Sequence, residues 1–199
     1  MKKNKKATSI LEAMIVLLII VVWITWLYLI YWNSQKLNLA TKNRIEAIEI
    51  AREWIEAMKN IRDTNWIKFA WDKEHCFKTY NYDSKCVWDN WTNWNYIEDN
   101  AHYIIYLWND NKWYLWKPFI SWDYEYKNSD YRNNFRVYKK NWYYTQSWTT
   151  NKTIFTREIF IENMTNTGFN FHSIVSWTDS SKSWSYKIDI KNLITNWEK

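Results

Sequence analysis

Few residues in this chain offer chemistry. Glu12 is a carboxylate set inside an otherwise apolar run. Such a group costs up to a few kcal/mol in hydrocarbon and usually has a partner. Cys76 and Cys86 bracket nine residues, a spacing that suits either a disulfide or two free thiols. If the loop lies outside the cytoplasm, the disulfide is the favoured reading, and closure would contribute roughly 2–3 kcal/mol. His75, His102 and His172 stand at no metal-ligand spacing with those cysteines. The chain carries no Ser–His–Asp pattern in context, no glycine-rich phosphate loop and no paired carboxylates on a recognisable scaffold. The expectation is a protein that is not an enzyme and takes no cofactor or metal.

The elements that position Glu12 are plain. A basic leader, with Lys2, Lys3, Lys5 and Lys6, precedes twenty residues from Ala13 to Trp32 in which Thr25 is the one polar interruption. Twenty apolar residues span a bilayer as a helix. The leading lysines place the N-terminus in the cytoplasm and the rest of the chain outside. A cleaved secretory signal needs a shorter apolar core and a small-residue site after it. Here the best later site, "LNLA" at 37–40, puts Asn38 where a small residue is wanted.

The stretch "KKATSILEAMIVLLII" (5–20) resembles the N-terminus of type IV pilins and pseudopilins. The resemblance implies a leader over 1–7, with Ala7 before the cut. Thr8 then becomes the new, N-methylated N-terminus, and Glu12 is the fifth residue after the cut. Most members carry Gly before the cut and Phe or Met after it; this chain has Ala and Thr. The resemblance also implies the partners: a prepilin peptidase, an inner-membrane assembly platform, the membrane and other pilin subunits. Within an apolar filament core, Glu12 would pair with the Thr8 amine of a neighbour, since a buried charge is tolerable only when paired. The expected location is the cytoplasmic membrane before assembly and a cell-surface filament after it.

Beyond the membrane or filament-core segment (8–32), helical periodicity continues as a stem over 33–65. Ile45, Ile48, Ala51, Ile55, Met58 and Ile61 recur at steps of three and four, with charged residues between them. No Pro occurs between Ile10 and Arg62, so one unbroken helix is predicted. The segment "AREWIEAMKNIRDTNW" (51–66) resembles a pilin-like pattern in which Gly stands at the position of Trp54.

That position belongs to a wider anomaly. The chain has 18 Trp and one Gly in 199 residues, where glycine is ordinarily about 7%. Turn-like stretches such as "DNWTNWN" (89–95) and "KNWYY" (140–144) carry Trp where tight turns want Gly. If Trp66, Trp113, Trp177 and Trp197 are kept and the other fourteen are read as glycine, glycine reaches 15 of 199, its usual share. The hypothesis is an alternative genetic code: UGA codons meaning glycine, written out as tryptophan. A glycine at 54 is tolerable inside a helix if a strand packs closely over it.

Residues 66–199 form the predicted head. The segment 67–100 reads as loop. Strands are predicted at 102–108 and 112–116 as a hairpin, then at 134–140, 153–163, 169–177 and 185–194. In 153–163, Phe155, Arg157, Ile159 and Ile161 alternate with Ile154, Thr156, Glu158 and Phe160. Several strands after one long helix predict an α+β fold, with the helix packed on an antiparallel β-sheet. The net charge is +6, and the four leader lysines account for all but +2 of it, so no nucleic-acid partner is expected. The rival function is a membrane-anchored extracytoplasmic module whose exposed aromatics grip carbohydrate, which requires the tryptophans to be real.

Overall fold

The computed structural model describes residues 10–79, 97–107, 112–118, 128–140, 143–146, 151–178 and 185–196. Internal contacts divide the chain into Met1–Ile45 and Glu46–Lys199.

The first unit is the N-terminal part of helix α1 (Ile10–Lys68). Every apolar side chain from Ile10 to Trp32 is exposed, and the helix is long and apolar enough to cross a membrane. Its backbone is satisfied internally, as a low-dielectric solvent demands. Thr25 donates its hydroxyl proton to the Val21 carbonyl at 2.8 Å, which satisfies that hydroxyl within the helix. Near the end of the run, the Tyr28 and Trp32 rings stack at 6.4 Å and the Lys36 ammonium lies 5.7 Å from the Trp32 ring centre. Aromatic rings followed by a lysine are the usual furniture of a membrane–water boundary.

The second unit contains the rest of α1, from Glu46, and an antiparallel sheet. Seven strands are present among the described residues: β1 (His102–Leu107), β2 (Trp113–Trp116), β3 (Arg136–Lys140), β4 (Tyr143–Thr145), β5 (Lys152–Glu162), β6 (Gly168–Thr178) and β7 (Ser185–Thr195). Two short helices, α2 (Lys73–Cys76) and α3 (Ser129–Asn134), complete the elements. Strand β5 organises the sheet. One edge pairs along its length with β6, which pairs in turn with β7. The other edge is shared: β3 takes the N-terminal half, with Arg136 opposite Thr156, and β1 takes the C-terminal half, with Tyr103 opposite Ile159. Hairpin partners β2 and β4 extend those two branches. The α+β class with an antiparallel sheet is therefore observed.

Core formation follows the alternation of β5. Phe155, Arg157, Ile159 and Ile161 are all buried on one side, as the period of two predicts. Thr156 and Glu158 on the other side are buried as well, which alternation alone does not foresee. Against the sheet, α1 presents Ala47, Ile50, Ala51, Trp54, Ile55, Ala57, Met58 and Ile61. This corrects the predicted stripe. Ile45 is 53% exposed and Ile48 only half-buried, whereas Ala47, Ile50 and Trp54 are fully buried. The reason is close approach. Ser173 on β6 donates to the Ala51 carbonyl at 2.9 Å, so the sheet seats on the side of the helix with the shortest side chains. The strand that passes over residue 54 is β5, whose Arg157 guanidinium lies 4.0 Å from the Trp54 ring centre.

The sole glycine also marks a close approach. At Gly168 a Cβ would run into the Ile194 carbonyl oxygen, where β6 and β7 start their pairing. Substituting Gly168→Ala is expected to destabilise the second unit by about 1–3 kcal/mol, because backbone must shift to admit the methyl group. Denaturant unfolding of parent and variant, followed by near-ultraviolet dichroism, measures it; equal midpoints would show that the β6–β7 end is free to open.

Candidate functional site

Three clusters hold the polar chemistry of the described residues, and the N-terminal carboxylate stands apart from them. Glu12 lies in the first turn of α1, where a negative charge suits the helix dipole. It is exposed among exposed apolar neighbours such as Ile15 and Val16, and it makes no ion pair or hydrogen bond within the described chain. Ala7 and Thr8 lie outside the described residues.

The first cluster joins helix to sheet. Arg157 is completely buried and meets Glu53 Oε2 at 2.9 Å, a pairing across 104 residues of sequence. A longer contact from the same nitrogen reaches the Ile50 carbonyl at 3.5 Å. Burial lowers the Arg157 pKa to about 10, and the Glu53 carboxylate works against that fall, so the group keeps its charge at neutral pH. Two turns nearer the N-terminus, Tyr144 on β4 donates to Glu46 Oε1 at 2.5 Å. Burial, then that hydrogen bond, then the charges of Glu46, Glu49 and Glu53 push the phenol well above its ordinary range. The phenol therefore stays protonated and acts as a donor. None of these residues was singled out as a site in the sequence. The available signal was Arg157 itself, an arginine at a core-facing position of an alternating strand, which demands a counter-charge from elsewhere.

The second cluster lies on the face of the sheet away from α1. His102 Nδ1 is 3.1 Å from Glu158 Oε2, and His172 stands between Asp189 Oδ1 at 2.9 Å and Glu162 Oε1 at 3.1 Å. The Phe160 ring separates the two imidazoles, with centroid distances of 4.8 and 5.9 Å. Lys191 adds a 2.5 Å bond to Glu162. The hydrogen bond from Lys191, then that from His172, holds the Glu162 carboxyl below its ordinary range. A carboxylate with a depressed folded pKa stabilises the fold above its unfolded pKa, and that contribution is lost as pH falls through the folded value. Cross-strand polar contacts of this kind stitch β1, β5, β6 and β7 together. No group of three His, Cys, Asp or Glu side chains among the described residues is arranged to hold a metal ion.

The third cluster is the end of α1. Asn65 is buried and donates to the Thr79 carbonyl, and the Lys73 ammonium sits 3.9 Å from the Trp66 ring centre. Phe69 and Cys76 form a small apolar cluster of their own, and Cys76 is disulfide-bonded. Cys86, the partner read from the sequence, lies outside the described residues, as does the side chain of His75. Peptide mapping under non-reducing conditions is expected to recover Cys76 linked to Cys86; recovery of both as alkylated thiols refutes the bridge. No family model matches the chain, and no curated protein or solved structure matches it significantly.

Proposed function

We propose that the chain is a structural subunit of a type IV pilus or of a related secretion filament, a minor pilin or pseudopilin, and that it acts by assembly rather than catalysis. The observation that carries this reading is Glu12: a single carboxylate in an apolar helix, five residues into the chain that would begin at Thr8, with no partner of its own among the described residues. An apolar helix with a lone acid needs something else to complete it. The amine of a neighbouring subunit's Thr8 answers both the charge and the geometry, because each added subunit brings one amine and one carboxylate. Maturation by a prepilin peptidase supplies that amine by cutting after Ala7. Until assembly the apolar part of α1 rests in the cytoplasmic membrane with the leader inside; afterwards it packs among its copies, handed on by an inner-membrane platform.

Further support comes from how α1 divides. From Ala13 to Trp32 it exposes apolar side chains on every side, while from Ala47 to Asn65 one stripe of the helix is buried against the chain's own sheet. A membrane anchor alone would not need Glu12.

Two measurements test the reading. The mature protein from cells containing prepilin peptidase is expected to start at Thr8, as read by intact mass; a start at Met1, or after Ala40, excludes this maturation. Glu12→Ala should leave the protein folded and in the membrane, since removing a charge from an apolar run favours insertion. Its incorporation into filaments should fall about tenfold or more, because the incoming amine is buried unpaired at a cost of several kcal/mol. The ratio of sheared-filament to membrane-bound protein reports this, and an unchanged ratio makes Glu12 a bystander.

A further inference from the structure

The junction of helix and sheet at residue 54 leaves buried donors on both elements without acceptors. Trp54 is fully buried, and its indole N–H has no acceptor. Against it lies the Arg157 guanidinium, fully buried too, with Nε and Nη2 likewise lacking acceptors. Three buried donors with no acceptor thus face one another across a single contact, in a protein interior where nearly all such groups are paired. Stacking of the guanidinium on the indole contributes attraction, but it supplies no acceptor for any of the three.

The surrounding helix face is built for a short side chain. Ala51 and Ala57 are the residues three before and three after position 54, and Ala47 lies two turns back on the same buried stripe. Along this row the sheet already reaches helix backbone twice, through Ser173 to the Ala51 carbonyl and through Arg157 to the Ile50 carbonyl. An indole in that row lies against the guanidinium, which touches the helix backbone only through one long contact. Trp66 shares one feature with Trp54, a buried indole N–H without an acceptor, but is faced by the Lys73 ammonium rather than by an unsatisfied guanidinium. The remaining tryptophans of the described head differ from Trp54. Trp177 is buried on β6 with its ring stacked on Tyr186 at 5.4 Å and tilted against Phe155 at 5.9 Å, and Trp113 packs on the main core from β2. Trp71 and Trp116 are 72% and 57% exposed and pack on neither core. Trp177 and Trp113, kept on composition, pack on aromatic or core neighbours, while Trp71 and Trp116, in the surplus that matches the missing glycines, are exposed; Trp54, in the same surplus, is buried in the main core and is set apart by its unsatisfied contact with Arg157.

We infer that residue 54 is glycine in the cell, encoded by UGA, and that the bare helix backbone there is the seat of Arg157. With no side chain at 54, the guanidinium closes on the carbonyls of the preceding turn while keeping Glu53 as its counter-charge. The donors then meet acceptors, and Arg157 becomes the residue that sets the register of the helix on the sheet. Glycine in a helix interior is otherwise unfavourable; the close approach of β5 is the reason to tolerate it. The inference stands whether or not the chain enters a filament.

Two experiments decide it. Tryptic peptides of the protein purified from its own cells, sequenced by mass spectrometry, are expected to give Glu-Gly-Ile-Glu-Ala-Met-Lys for residues 53–59, with a UGA codon in the gene. Tryptophan at 54, or a UGG codon, overturns the assignment. The seat is tested separately on the full chain, made recombinantly with either residue at 54 and solubilised in detergent. Trp54→Gly should raise Tm or leave it within about 5 °C, and Arg157→Lys should lower Tm more when combined with Trp54→Gly than when made alone. If Trp54→Gly instead lowers Tm by more than about 5 °C, as truncation of a genuine core aromatic would, residue 54 is a core residue and the seat does not exist.

Discussion

The ion pair of Arg157 with Glu53 is the constraint from which the packing of the second unit follows. A guanidinium with no exposed surface tolerates its position only beside a carboxylate. That carboxylate is on α1, so β5 must cross the helix at one place and in one register. Once β5 is set, β6 follows through eight registered pairs, and β7 through eleven more on the far side of β6. Ser173 then falls opposite Ala51 and Tyr144 opposite Glu46, so the polar contacts to the helix are consistent with one another. Apolar burial supplies most of the driving force, but it is indifferent to small slides of helix on sheet. The directional bonds are what make one arrangement preferred.

The helix itself obeys two solvents. From Ala13 to Trp32 its side chains are apolar or aromatic on every side and the Thr25 hydroxyl is turned back on the backbone, which suits hydrocarbon. From Ala47 the same helix is apolar on one stripe only and charged elsewhere, which suits a protein core on one side and water on the other. Between them, residues 33–45 carry Lys36, Lys42 and Arg44 and no carboxylate, so this exposed stretch is purely cationic. No glycine or proline interrupts α1 as written. A glycine at 54 would lie where the sheet holds the helix on one side, and there tertiary packing rather than intrinsic propensity maintains the turn.

The histidines show how residues with catalytic potential become structural. His102 and His172 both stand next to carboxylates, a pairing that in a cleft would invite an acid–base reading. Here they flank a phenylalanine on a sheet face and bridge neighbouring strands. Their partners are Glu158, Glu162 and Asp189, and the arrangement links four strands through polar side-chain contacts.

What the sequence determined by itself was whatever depends on local periodicity. A twenty-residue apolar run makes a membrane-length helix, the absence of Pro lets it continue, and the two-residue alternation of 153–163 separates Phe155, Arg157, Ile159 and Ile161 from their neighbours. From these came the long helix, the positions of β1, β2, β3, β5, β6 and β7 to within a residue or two, and the α+β class. The short elements α3 and β4 were not legible, because six and three residues carry too little pattern to stand out. Which stripe of α1 is buried was decided only by the tertiary structure. Ile45 and Ile48 are as apolar as Ile50 and fit helical spacing equally well, but the sheet needs the small Ala47 and Ala51 in order to come within bonding distance of the backbone. The pairings of Arg157 with Glu53 and of His102 with Glu158 span 104 and 56 residues. Such pairs exist only once the strands are laid side by side, so no local rule along the chain announces them.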